Sequence, residues 1–510
     1  MKIGEVLNGV YDKSVGWRPA SGAIKPVHIA NGLFRDLLGT RYDIKNVISF
    51  TVPWKKKNNP DLDPNRTYEY LFAKTADPRF KAFCAPGQKD RFERLREFAR
   101  GLLGADRALF PQPDITSLTL TCRQMISADR NDRDVGRCMG SILRGQGSEG
   151  KLGKLVVERL SAGSEQPDDP ISLLCWPLLS QEAVYLPGGS QRASPHENKQ
   201  CKDFFQHLEK AAGDLADHER LHGNRLATLQ RAVHFACLAV LAHAQALAAH
   251  GRLQERAPLL LVLDAPKGSR LATASEHSLD NYYQAFENWL TEKLADRLVK
   301  GQPIVFASGD NDKDMFLELP PQRKDSIRKF LKEILADGGD ELTVQEMDDR
   351  MNLYELAVAK HGKENWSTVV AETVVQCYLS EYLSGGPRQF LAGIGRKVGL
   401  IYPHFQGRSK EKRVSPSVVI LEALVKACTP AAGPIPFNAF ATNLWERFGF
   451  VVGGHVGEKG NDVELLQQSG IEVGPTDLDD NCRVLIDRLA EIGLARRYPD
   501  NISYIGSYRV

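Results

Sequence analysis

The stretch Leu494-Ala495-Arg496-Arg497-Tyr498-Pro499-Asp500-Asn501-Ile502-Ser503-Tyr504-Ile505 decides how the last hundred residues are read. Two short β-prone runs flank Pro499-Asp500-Asn501, residues that favour chain reversal, so a hairpin is expected. The residues before it predict a long helix. That helix opens at the acidic pair Asp479-Asp480, which suits its positive end, carries Val484, Leu485, Leu489 and Ile492, and stops at Gly493. Further back, Asn461 or Asp462 caps a short helix containing Leu465 and Leu466. Another helix follows Pro436, with Phe437, Phe440, Leu444 and Phe448 at helical spacing, and ends at Gly449. The first of the series starts at Ser415-Pro416, places Val418, Leu421, Leu424 and Val425 along one face, and ends near Cys428 and Thr429-Pro430.

Helix, helix, short helix, helix and hairpin, in that order, resemble a winged-helix domain. In that family the helix before the wing usually enters the major groove while the wing lies along the backbone. The resemblance therefore implies DNA contacts by Arg483 and Arg488 on the helix and by Arg496 and Arg497 in the wing. Winged helices also mediate protein contacts, and then these arginines are ordinary solvated charge. The preceding segment, GIGRKVGLIYPHFQGRSKEKRVSPS, holds Arg396, Lys397, Arg408, Lys410, Lys412 and Arg413 against the single acid Glu411. Such cations add salt-sensitive phosphate contacts, while Tyr402, His404 and Phe405 either stack on exposed bases or pack. A plain solvated linker accounts for the same charges. Trp54-Lys55-Lys56-Lys57-Asn58-Asn59 is a shorter basic run of the kind usually found in exposed loops.

A length of 510 residues suggests several domains. The expected fold class is mixed α/β, predominantly helical and multi-domain, with a C-terminal winged helix. The expected divisions are an N-terminal α+β domain at 1–165, a central α/β domain at 166–320, a helical domain and basic linker at 321–410, and the winged-helix domain at 411–510. The first mixes helical stretches, Ile29 to Leu38 and Gln88 to Leu103, with alternating runs at Val47 to Val52 and Ser117 to Thr121. The acidic, proline-bearing segment Glu165 to Pro170 marks its end. In the second, Ile171 to Cys175, Pro258 to Asp264 and Pro303 to Ala307 read as partly buried strands of an α/β layer. From Gln322 to about Phe390 the pattern is helical, with Trp366, Val369, Val370, Val374 and Tyr378 on one face and a turn at Asp337-Gly338-Gly339-Asp340.

With 66 Lys and Arg against 64 Asp and Glu the net charge is +2, so any nucleic-acid surface must be local. The nine cysteines stand singly without CxxC spacing and read as reduced thiols. The start, MKIGEVLNGVYDKSVGW, shows neither a secretory nor a transit pattern, which predicts a cytoplasmic protein. The apolar run Ala232 to Ala249 is slightly short of the ~20 residues a bilayer needs, and His234, His243 and Gln245 interrupt it. It is expected to be a buried helix, with no membrane partner.

Three constellations bear on chemistry. His218-Glu219-Arg220-Leu221-His222 is a literal HExxH, in which histidines four apart on a helix share a zinc and the glutamate acts as base. The resemblance to zinc-dependent peptidases covers these five residues alone. Arg220 intervenes where that family has an uncharged residue, Gly223-Asn224-Arg225 follows, and no third His or Asp stands at the extended spacing. The second is the loop after Leu259 to Asp264, with Lys267, Ser269, Arg270, Glu276 and His277 beyond the carboxyl end of a strand, where α/β ligands collect. It is no P-loop, and the nearest approach to one, Gly145 to Lys151, has Leu152 where the hydroxyl belongs. The third, Gly393 and Gly395 before Arg396-Lys397, reads as a helix end and hinge.

The leading expectation is a non-catalytic, DNA-binding subunit. Its layout resembles accessory components of bacterial anti-phage defence or restriction systems, which implies duplex DNA and other protein subunits as partners, including a separately encoded ATPase or nuclease. No catalytic residue, metal or cofactor is assigned. The alternatives are a metal-dependent hydrolase using His218, Glu219 and His222, or the polar loop near Asp264, and a protein scaffold without DNA contact.

Overall fold

The computed structural model describes residues 3–19, 24–44, 90, 94, 97–98, 123–127, 134–145, 150–161, 179–180, 182–186, 201–301, 315–336, 343–381, 386–404, 411–454, 456–457, 460–499 and 502–507. Helices dominate these residues. At the centre lies Arg225–Ala248, apolar on every side and rich in alanine, which lets neighbouring helices approach closely from all directions. Asn224 caps it, its Oδ1 accepting from the Ala227 N–H at 2.8 Å. Around it pack Pro26–Leu38, Lys151–Ser161, Arg270–Gly301, Pro387–Val398 and Val418–Cys428. Its composition would suit a bilayer, but 94% of its apolar window is buried inside the fold. The expectation of a core helix therefore holds.

His234 on this helix is 6% exposed, and its Nδ1 is buried without a hydrogen-bond partner among the described residues. Burial first, and then the charge of Arg231, push its pKa down from 6.5 to about 4. Between those values the unfolded chain takes up a proton that the folded chain refuses, so stability falls as pH drops through the window. The loss reaches about 3 kcal/mol near its lower end. Chemical denaturation of the wild type and His234→Phe across this window is expected to show the slope flattened in the variant by up to that amount.

The strands are short. Leu259–Leu260 pairs in parallel with Phe450–Val451, and Leu261 bridges Val414 in parallel. The strand expected over Pro258 to Asp264 thus exists as a short piece whose partners come from the last hundred residues. Its run of leucine and valine is buried throughout, as suits a strand covered on both faces. Polar side chains complete the pairing. The Ser275 hydroxyl donates to Leu260 O at 2.7 Å and accepts from Val414 N at 3.0 Å, and Asn481 Nδ2 donates to Leu261 O at 2.8 Å and Val452 O at 2.9 Å. The other expected strands, at Ile171 to Cys175, Pro303 to Ala307, Val47 to Val52 and Ser117 to Thr121, lie outside the described residues. So do the boundary at 165, the lysine run at Lys55, the turn at Asp337 and most of Gln88 to Leu103.

In the carboxyl-terminal region the helices are Val418–Cys428, Phe437–Phe448, Asp462–Gln468 and Pro475–Glu491. Gly449 ends the second with φ 69°, the left-handed conformation that glycine takes without a Cβ penalty. The long helix begins four residues earlier than its acidic pair suggests. Pro475 fills the first turn, and Asp477 reaches back to accept from Gly474 N at 3.0 Å. Ala495–Arg497 and Ser503–Ile505 form the expected hairpin, and Ile435–Pro436 pairs along the far side of Ser503–Ile505. One connected apolar cluster includes Leu7, Phe235, Leu331 and Ile505, so this region shares its core with all the others. Gly393 and Gly395 lie inside Pro387–Val398, which ends instead at Gly399 with φ 90°, correcting the hinge expectation.

Candidate nucleic-acid interface

The helix Pro475–Glu491 turns Leu478, Asn481, Cys482, Leu485, Ile486 and Leu489 inward, which leaves Arg483 and Arg488 on its outer side. That side also carries Asp477, Asp479, Asp480, Asp487 and Glu491, so carboxylates outnumber guanidiniums by three. Arg483 lies 3.4 Å from Asp480. Arg488 reaches Glu491 at 2.8 Å and, across the chain, Asp264 at 2.8 Å. In the hairpin Arg496 and Arg497 are exposed beside exposed Tyr498, and Arg497 meets Asp487 at 2.8 Å. Asp264 takes φ 50°, a left-handed backbone that aspartate tolerates better than most residues. An isolated helix with this outer face repels a phosphate backbone, whereas the hairpin presents net positive charge.

The basic segment is packed on the fold. Arg396 and Lys397 stand in the last turn of Pro387–Val398, where the negative end of the helix favours cations. Lys397 Nζ donates to Ile24 O at 2.6 Å, and burial, aided by Lys25 and Arg396, pushes its pKa down to about 8. Lys412 is also lowered, by burial first and then by Arg396. Arg413 lies 4.2 Å from the Tyr402 ring centroid, and its strand pairs with Ile401–Tyr402. His404 bonds Ser415 O at 2.6 Å. These four cations are half-buried, which sets them apart from a solvated linker. Arg408, Lys410 and Phe405 lie outside the described residues.

Of the HExxH residues, His218 and Glu219 belong to the core and the other three are exposed. His218 is buried, with Nε2 3.1 Å from Thr429 O, and burial lowers its pKa. Glu219 accepts from Arg231 Nε at 2.5 Å and Nη2 at 2.9 Å, from Thr228 Oγ1 at 2.9 Å and from Lys426 Nζ at 3.2 Å. Burial raises this carboxyl, but the bonds from Arg231 and the charge of Lys426 outweigh it and hold the pKa below the ordinary range. His222 is exposed at the helix end. Among the described residues no group of three or more His, Cys, Asp or Glu is arranged to hold a metal. Sequence spacing put both histidines on one side of the helix, but His218 is turned into the protein while His222 meets solvent, so the pair does not form a site.

The polar loop after Leu259–Leu260 spends its charges on the carboxyl-terminal region. Besides Asp264 with Arg488, Lys267 meets Glu411 at 2.6 Å and Arg270 meets Asp477 at 3.3 Å. Ser269 Oγ caps the next helix by accepting from Ala272 N at 3.2 Å. Glu276 has its pKa raised, by burial and then Glu411, while His277 is exposed. Sequence reading missed these pairings, and although it expected a helix here it did not single out the cations Arg323, Lys324, Arg328, Lys329 and Lys332 of Pro321–Ala336. No family model and no curated protein matches this chain.

Proposed function

We propose that the chain is a non-catalytic subunit of a bacterial multi-protein DNA-acting system of the anti-phage or restriction kind, working in the cytoplasm beside a separately encoded ATPase or nuclease. Its carboxyl-terminal unit is a winged helix that touches duplex DNA through the wing. The observation that carries this reading is the three-stranded sheet, with Ser503–Ile505 between Ala495–Arg497 and Ile435–Pro436, fed by the three larger helices of that region and presenting Arg496 and Arg497. The acidic outer face of Pro475–Glu491 argues against base reading by that helix, so the contact is with phosphates and is indifferent to sequence.

Titration of the full chain with a labelled duplex at several salt concentrations tests this. Affinity is expected to fall steeply with salt, and Arg496→Ala/Arg497→Ala to lower the log–log slope by about 2. A slope unchanged by that double variant removes the wing from the interface. The acidic helix face also favours a second reading, a scaffold that docks a basic protein. Absence of duplex binding together with capture of a partner subunit through that face would replace the first reading by the second.

A further inference from the structure

The helix Pro321–Ala336, PQRKDSIRKFLKEILA, divides cleanly into two faces. Ile327, Leu331, Ile334 and Leu335 are buried, and the helix packs against Trp366–Glu381 and Val344–His361. The exposed arc carries Arg328, Lys329 and Lys332 against Asp325 and Glu333, while Arg323 and Lys324 are half-buried beside the apolar face. Lys324 Nζ donates to Leu317 O at 2.7 Å and is half-buried. Arg328 approaches Glu355 at 3.6 Å with both side chains at least half exposed, a geometry that adds little stability and yields readily to another anion. Lys329 and Lys332 are exposed and form no ion pair among the described residues. This contrasts with Arg483, Arg488 and Arg497, each held by a carboxylate of the same chain.

We propose that this outward face of Pro321–Ala336 is a phosphate-binding surface for duplex nucleic acid, centred on Lys329 and Lys332 with Arg328 beside them. The inference rests on the DNA-contacting reading above and assigns it a surface remote in sequence from the wing. Arg328 and Lys332 stand four residues apart, about 6 Å along the helix axis, with Lys329 beside them. A duplex strand advances about 3.4 Å along its axis per phosphate, so successive cations meet roughly every second phosphate. A nucleic acid is favoured over a lipid surface because membrane-surface helices bury their apolar stripe among acyl chains, and here tertiary packing has already used that stripe. The two lysines have no internal ion pair to give up among the described residues, whereas Arg483, Arg488 and Arg497 each have an exposed one.

The test uses the full chain carrying Lys329→Glu and Lys332→Glu, with circular dichroism to verify the fold and a labelled duplex of arbitrary sequence as probe. Binding is expected to weaken at least about tenfold at low salt, with the log–log salt slope smaller by about 2. Lys329→Arg/Lys332→Arg is expected to bind like the wild type. Duplex affinity unchanged by the charge reversal overturns this surface and leaves the wing reading standing. A wild-type chain that binds no duplex overturns both. Binding of the wild type to phosphatidylserine vesicles but not to duplex, lost in the charge-reversed variant, identifies a lipid surface and overturns the nucleic-acid assignment.

Discussion

Glu219→Ala is expected to lower the free energy of unfolding by about 3–5 kcal/mol. The Glu219 side chain is fully buried, and among the described residues it is the only wholly buried carboxylate facing Arg231 and Lys426, which are themselves 11% and 8% exposed. Removing it leaves both cations to share Glu422, which is 34% exposed and stands 3.0 Å from Arg231 and 2.8 Å from Lys426. Desolvated cations without a full counter-charge cost far more than an exposed pair contributes. Because the folded carboxyl lies below its ordinary value of 4.5, its stabilisation is present above that value and is lost as pH falls through the folded pKa. Urea denaturation followed by fluorescence should show the midpoint fall in Glu219→Ala, with a smaller fall in Glu219→Gln, which keeps acceptor and volume. A midpoint within about 1 kcal/mol of the wild type would mean that water enters the site and solvates the two cations.

Trp17→Ala carries the second large effect. The indole is fully buried and stacks on Phe390 with centroids 4.9 Å apart and on Phe286 at 6.0 Å. It thereby joins the amino-terminal segment to the helices Pro387–Val398 and Arg270–Gly301. Emptying that volume should cost about 3–5 kcal/mol. Trp17→Phe should cost much less, roughly 1–2 kcal/mol, since the buried Nε1 makes no hydrogen bond among the described residues and its loss leaves no partner orphaned. Denaturation midpoints of the two variants check the order. Limited proteolysis within the first twenty residues should accelerate in the alanine variant.

Local patterns carried most of what the sequence revealed. Phe437, Phe440, Leu444 and Phe448 at helical spacing, closed by Gly449, gave the helix Phe437–Phe448 nearly to the residue, because periodicity and glycine conformation are properties of neighbours along the chain. The hairpin after Gly493 was legible for the same reason. Partners distant in sequence were not. Nothing in His218 to His222 says whether that face meets solvent or Thr429, and no spacing rule pairs Asp264 with Arg488. Four arginines chosen for their sign looked alike in sequence, yet Arg483 meets Asp480 of its own helix, and the carboxylates that meet Arg488 and Arg497 across the fold, Asp264 and Asp487, become visible only when loop, helix and hairpin are brought together. The cations of Pro321–Ala336 were as readable as the rest and were passed over because no recognisable module surrounds them.

The parallel pairing of Leu259–Leu260 with Phe450–Val451 bears on how the chain is made. During synthesis the amino-terminal half leaves the ribosome with an apolar strand edge whose mate is still untranslated, about 190 residues away in sequence. Until the last quarter emerges, that edge is open to mispairing and to capture by chaperones. A chain cut short after Arg413 would keep the edge permanently open and is expected to aggregate, so deletions there report on solubility, and only point substitutions report on binding.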